Sequence, residues 1–156
     1  MTSILVINGP NLNMLGRREE EHYGSLTLDE INSDLVSTGQ EWGLSVHTFQ
    51  SNHEGEIVEI IQNASQGGYK AIIINPAAFT HTSVAVRDAL LVADLPFFEV
   101  HISNIHAREQ FRNESLVSDI ASGVVMGFGP VGYKLAMMGA RDLLASRQTA
   151  NGEETN

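Results

Sequence analysis

Short apolar runs alternate along this chain with segments whose apolar residues recur every three or four positions. The first run, Ile4-Leu5-Val6-Ile7 within Ser3–Asn8, predicts a strand. Thr27 with Glu30 three residues later has the form of a capping box, and Leu28, Ile31, Leu35, Thr38 and Trp42 then share one helical face. Leu44–Phe49 predicts a second strand. Ile57, Ile60, Ile61 and Ala64 mark a second helix, closed by Gly67-Gly68. Ala71–Asn75 is apolar almost throughout, the pattern of a strand covered on both faces. A third helix over Thr82–Ala93, a strand over Pro96–Ile102, a strand over Gly123–Phe128 and a last helix over Gly132–Ser146 complete the order. With no repeat and no linker, residues 1–146 predict one doubly wound α/β domain: a flavodoxin-like, five-stranded parallel sheet of order 2-1-3-4-5, helices on both faces. Residues 147–156 are polar, lack large apolar side chains and predict a disordered tail.

In an open sheet of this kind the ligand site lies beyond the carboxyl ends of the strands. The loops leaving those ends are Asn8-Gly-Pro-Asn-Leu-Asn13, Gln50-Ser-Asn-His-Glu-Gly-Glu56, Asn75-Pro-Ala-Ala-Phe-Thr-His-Thr82 and the stretch from Glu99 to Arg108. They carry His53, His81, His101 and His106, leaving only His22 and His47 elsewhere. The opposite loops, Gly67–Lys70 and Asp94–Pro96, are ordinary connectors. Such a one-sided rim of polar groups is the distribution of an enzyme more than of a binding module.

Within that rim Glu99 and His101 stand two apart on a strand and so point to one face, where the carboxylate can orient the imidazole. The plainer reading of the pair is a structural histidine at a strand end. His106 competes for an acid–base role, with Glu109 as its nearest carboxylate in sequence. The connection from the first strand to the first helix is also unusual. It runs to about eighteen residues, where two to six are common, and holds Arg17-Arg18, Glu19–Glu21 and Tyr23-Gly24. A long loop at this end predicts a lid, and a cation beside a phenol favours phenolate, so Tyr23 beside an arginine could act as a general base. A solvated charge run with a surface tyrosine is the alternative.

Composition narrows the chemistry. The chain has 156 residues and no cysteine, which removes disulfides, thiolate nucleophiles and Cys-ligated metals. Its only lysines, Lys70 and Lys134, fall away from the predicted ligand rim, which speaks against imine chemistry. No histidine–carboxylate spacing resembles a helical zinc motif. Gly127-Phe-Gly-Pro-Val-Gly132 has the form G-x-G-x-x-G, but it follows the last strand, so it predicts a tight turn with close helix packing. The formal charge of −10 opposes nucleic acid and anionic membrane as partners. Met1-Thr2-Ser3 offers no basic leader and no run approaches a membrane span, so a cytoplasmic protein is expected.

Taken together, Asn8–Asn13, Gln50–Glu56, Asn75-Pro-Ala-Ala, His81-Thr-Ser83, Glu99–Asn104 and Ala107-Arg-Glu109 closely resemble the type II 3-dehydroquinate dehydratases, in order and spacing, as far as about Leu144. The resemblance implies a flavodoxin-like fold, no cofactor, and a dodecamer of four trimers. It implies removal of water from 3-dehydroquinate through an enolate, in the shikimate or quinate pathway. Carried over by motif, Tyr23 is the base, Arg18 keeps it ionised, and Asn11 holds a water against the enolate. His101 gives a proton to the leaving hydroxyl, with Glu99 orienting it. Asn75, His81, the backbone of Ile102 and Ser103, and Arg112 bind substrate; Asp88 reaches a neighbouring subunit's site, and Arg108 lies near the site. Glu20 stands where the family commonly has proline, and Pro130 and the polar tail also depart from its pattern. A flavodoxin-like sensor or binding module without catalysis is the alternative. A receiver would want acids where Asn8 and Asn75 stand, and a flavin carrier would want a Ser/Thr-rich phosphate loop in place of Asn8–Asn11.

Overall fold

The computed structural model describes residues 1–17 and 25–153, with side chains as far as residue 150. The strands are β1 (Thr2–Asn8), β2 (Leu44–Gln50), β3 (Ala71–Asn75), β4 (Phe97–His101) and β5 (Gly123–Met126), and the helices are α1 (Leu28–Glu41), α2 (Glu54–Asn63), α3 (Val84–Ala93) and α4 (Val131–Glu153). The sheet is parallel throughout, in the order β2-β1-β3-β4-β5 that the alternation predicted. Alternation along each strand divides the core. Ile4, Val6, Ile73, Phe98 and Val100 pack beneath α1 and α4, while Leu5, Ile7, Ile72, Ile74 and Phe97 pack beneath α2 and α3. Among the described residues no helix is long and apolar enough to cross a membrane.

The local signals act as expected at most element ends. Glu30 N–H donates to Thr27 Oγ1 at 3.3 Å while Thr27 N–H donates to Glu30 Oε2 at 2.8 Å, so the capping box at α1 is closed in both directions. Ser83 caps α3, its Oγ accepting from Val86 N–H at 2.9 Å, and this starts the helix at Val84, not at Thr82. β5 stops at Met126 because Gly127 turns out of the strand at φ +85°. The glycine-rich turn then enters α4, with Gly129 N–H donating to Ile102 O at 3.0 Å.

One further expectation needs correction. The last helix does not end at Ser146, and residues 147–153 are helical instead of forming part of a disordered tail. Arg147, Gln148, Thr149 and Ala150 contain no strong breaker, so lacking large apolar groups costs this turn its packing but not its helical hydrogen bonds. The β4–β5 crossover, for which the sequence predicted no element, holds no α-helix. It is a chain of 3₁₀ turns at Ile105–Ala107, Gln110–Arg112 and Ser118–Ile120. α4 docks on α1 through Lys134 Nζ to Asp34 Oδ2 at 2.8 Å and through Arg141 stacked 4.9 Å over the Trp42 ring.

The sheet register sets the level of the functional rim. Asn8 lies opposite both Gln50 and Asn75, so the first three strands end together. Gly9 N–H then donates to Asn75 O at 2.8 Å, and a Cβ at Gly9 would sit 2.3 Å from the carbonyl oxygen of Pro76. Gly9→Ala must therefore push the loops after β1 and β3 apart. The expected cost is about 1–3 kcal/mol, or roughly 3–10 °C in thermal midpoint. Scanning calorimetry of the variant checks this, and an unchanged midpoint would show that the loops can separate freely.

Candidate active site

A cleft of about 170 Å³ opens at the carboxyl ends of β1, β3 and β4, lined by Pro10–Leu12, Met14, Leu15, Asn75, Ala77, Ala78, His81, His101–Ser103, Ile105, Arg108 and Arg112. Of the residues singled out from sequence, it brings together Asn11, Asn75, His81, His101, Ile102, Ser103, Arg108 and Arg112. Arg18 and Tyr23 lie outside the described residues. Asp88 is exposed on α3 and does not line the cleft. His106 is exposed and also absent from the lining.

Glu99 lies immediately behind His101. The His101 Nε2–H donates to Glu99 Oε2 at 2.5 Å, and the two side chains are 5% and 0% exposed. Burial alone pushes the Glu99 carboxyl up. The hydrogen bonds from His101 and Ser118, the charge attraction of His101 and the hydrogen bond from Ser115 outweigh it, and the group is held below the usual carboxylate range. With Nε2 committed to Glu99, Nδ1 is the ring nitrogen left for a ligand. The same two-residue spacing that suggested the pair places both groups on the α3 side of β4.

The first loop is held from two sides. Asn11 has left-handed backbone at φ 67°, which asparagine tolerates better than most residues. Its N–H donates to Asn52 Oδ1 at 2.9 Å. Gln50 Nε2 donates to the same oxygen at 3.1 Å and to Gly9 O at 3.2 Å. Asn75 Oδ1 accepts from Ala77 N–H at 3.1 Å, and Asn75 Nδ2 donates to the Tyr133 hydroxyl at 3.0 Å. Tyr133 in turn donates to Asn8 Oδ1 at 2.5 Å. Complete burial pushes the Tyr133 phenol far up, so it stays a neutral structural donor.

On the far wall, the His81 ring meets the Glu114 carbonyl, Nδ1 to oxygen, at 2.7 Å. Arg112 Nε is 3.1 Å from Glu109 Oε2, and that hydrogen bond holds the Glu109 carboxyl below the usual range. Among the described residues no cluster of three or more histidine and carboxylate side chains could hold a metal ion. Lys70 enters β3 at its amino end, and Lys134 is paired with Asp34 on the helical layer, so neither reaches the cleft.

Reading the sequence missed Ser115, Ser118 and Tyr133. Tyr133, Met137 and Ala140 fall on one face of α4, a spacing that signals burial, but nothing in that spacing marks the Tyr133 hydroxyl as a partner of two strand-end asparagines. The serines sit in a turn-like stretch, Asn113–Ser118, whose partner is 16 and 19 residues away.

Comparison with known proteins agrees with this geometry. The sequence profile of the family described as Dehydroquinase class II matches residues 2–141. The 3-dehydroquinate dehydratase of Hydrogenovibrio crunogenus is 57% identical over 144 residues, covering 92% of this chain and 99% of the relative. That of Polynucleobacter asymbioticus is 56% identical over 138 residues, covering 88% and 93%. The crystal structure of type II dehydroquinase from Butyrivibrio crossotus superimposes with a TM-score of 0.87 at 42% identity, covering 89% of this chain and 97% of that one.

The depressed Glu99 carboxyl links the site to acid stability. A carboxylate whose folded value lies below its unfolded value contributes stability above the unfolded value, and that contribution is lost as pH falls through the folded one. From about pH 5 downward to pH 3, the thermal midpoint of the parent is expected to fall more steeply than that of Glu99→Gln. Midpoints measured across that range check this; parallel curves would mean that Glu99 is not held ionised by its neighbours.

Proposed function

The chain belongs to the class II dehydroquinase family, and from that membership we propose how its residues carry out the reaction. The enzyme is a hydro-lyase, a 3-dehydroquinate dehydratase. In the proposed mechanism Tyr23, as phenolate, takes the proton from the carbon next to the ketone, and Arg18 keeps that phenol ionised. The C–H electron pair becomes the enolate, against which Asn11 holds a water. The enolate then expels the hydroxyl two carbons from the carbonyl, and His101 supplies the proton that lets it leave as water.

The observation that carries this reading is the buried His101–Glu99 pair at the wall of the cleft. A fixed imidazole with one nitrogen on a carboxylate and the other free for a ligand is suited to proton donation. The choice of base has support from the other tyrosines. The chain has three; Tyr133 is buried and neutral, and Tyr69 packs against His47 at the opposite end of the sheet. Asn75, His81, the backbone of Ile102 and Ser103, and Arg112 bind the substrate, with Arg112 offered to a carboxylate or hydroxyl oxygen. Asp88, exposed on α3, serves a neighbouring subunit's site in a trimer, four of which make a dodecamer.

The product is a conjugated enone, so ultraviolet absorbance with 3-dehydroquinate reads turnover directly. Tyr23→Phe is expected to abolish turnover while leaving ligand binding largely intact; near-parental turnover would remove Tyr23 as the base. His101→Ala is expected to lower kcat by about 10²–10⁴. A loss below about tenfold would hand the acid role to another group, His106 first.

A further inference from the structure

Glu99 keeps its charge with no solvent contact, and two serines outside the cleft lining supply part of the reason. Ser118 Oγ donates to Glu99 Oε1 at 2.5 Å. Ser115 Oγ lies 3.1 Å from Oε1 and 3.0 Å from Oε2. With His101 on Oε2, the carboxylate has a donor on each oxygen and a third between them. A hydroxyl has one proton to give, so Oε1 depends chiefly on Ser118.

The segment that carries these serines is fixed independently of Glu99. Leu116 N–H donates to Thr80 O at 2.8 Å, and Arg87 Nη1 donates to Leu116 O at 2.9 Å. Arg87 also grips both oxygens of Asp119, at 2.5 and 3.0 Å. Val117 is fully buried in the core beneath α3. Ser115 Oγ accepts from Val117 N–H at 3.2 Å and from Ser118 N–H at 3.1 Å, closing the turn on itself. The hydroxyls are thus presented to Glu99 by a preorganised strap, whose formation does not wait for the carboxylate.

We propose that Ser118, supported by Ser115, is a positioning residue for the reaction: it holds Glu99 as a carboxylate with a fixed oxygen toward His101. The proposal rests on the reading of His101 as the proton donor. The chemistry behind it is specific. A carboxylate accepts a hydrogen bond from Nε2–H, which the ring keeps, and so lets it pass from imidazolium to neutral imidazole as Nδ1 gives its proton to the leaving group. A neutral carboxyl would instead offer Nε2 a hydroxyl. The ring could then release its remaining proton only as imidazolate, or by a second transfer in concert. Neither serine touches the cleft, so the effect has to pass through Glu99 and be felt in the chemical step, not in binding.

Steady-state kinetics on a small set of variants test this. Ser118→Ala is expected to lower kcat about tenfold, the scale of one hydrogen bond to a charged group, with KM changed by less than about twofold. Ser118→Thr, which keeps the hydroxyl, is expected to hold kcat within about threefold of the parent. In a Glu99→Gln background, adding Ser118→Ala is expected to change kcat by less than about twofold, because the charge it serves is already gone. The inference is overturned by a parental kcat in Ser118→Ala, by a KM rise that matches the fall in kcat, or by a full tenfold loss persisting in the Glu99→Gln background. Should the alanine variant not fold, Ser118→Cys keeps the volume with only a weak donor, and the same pattern is required of it. His101→Ala separates the two readings. A parental rate there removes the acid assignment itself, whereas a large loss there beside a parental Ser118→Ala removes only the role of the strap.

Discussion

A carboxylate shut away from water must either be matched by donors or give up its charge, and in this fold the surroundings of Glu99 are organised around that choice. Glu99 sits on a central strand with both faces of the sheet covered, so solvent cannot serve it. Its partners come from two places: His101 two residues along the same strand, and the serines of the 3₁₀ crossover that folds back over the α3 side. The crossover is not a helix because a helix there could not easily do this. A helix commits its backbone donors and acceptors to itself, whereas this segment spends Leu116 N–H and O on Thr80 and Arg87 and leaves two hydroxyls facing inward. The same segment offers the Glu114 carbonyl to His81. One stretch of irregular chain therefore supports two of the cleft's histidines, His81 directly and His101 through Glu99.

The other strand ends solve the same problem without charge. Asn8 and Asn75 are level in the register and both buried, and Tyr133 from α4 links them by donating to one and accepting from the other. This ties the C-terminal helix to the loops that form the cleft. It also explains why a tyrosine so close to the site is not a reacting group: losing its proton would leave a phenolate in full burial, with the Asn8 carbonyl facing it.

The architecture was legible because its signals are local. Alternating apolar runs, a capping box and glycines at turns each act within a few residues, and strand order follows from their alternation. The pairing of Glu99 with His101 was legible for the same reason, as a two-residue spacing on one strand. The strap was not. Asn113–Ser118 has the composition of any polar turn, and its meaning depends on a carboxylate 16 and 19 residues away. Tyr133 was half legible: its place on the inward face of α4 predicts burial, while the partners of its hydroxyl, Asn8 and Asn75, are 125 and 58 residues away. The helical turn beyond Ser146 was misread because an absence of apolar residues signals an absence of packing, which is a different matter from an absence of helix.

The charge of the chain belongs in this account as well. A protein of net −10 is a poor host for an anion if the whole surface is averaged, yet averaging is the wrong operation at a site this small. Among the described residues, the cleft lining contains Arg108, Arg112, His81 and His101 and no carboxylate. Glu99, close behind it, is already matched by its own donors and does not line the opening. Glu109 stands outside the lining and grips Arg112 at 3.1 Å with half of its own side chain in water. An exposed ion pair of this kind contributes little to stability. A carboxylate arriving in the cleft can therefore compete for the Arg112 guanidinium at small cost, with fewer waters between the partners. The other described acids lie outside the lining, so among the described residues the charge around the cleft is set within a few ångströms, by which acids are spent and which are kept out.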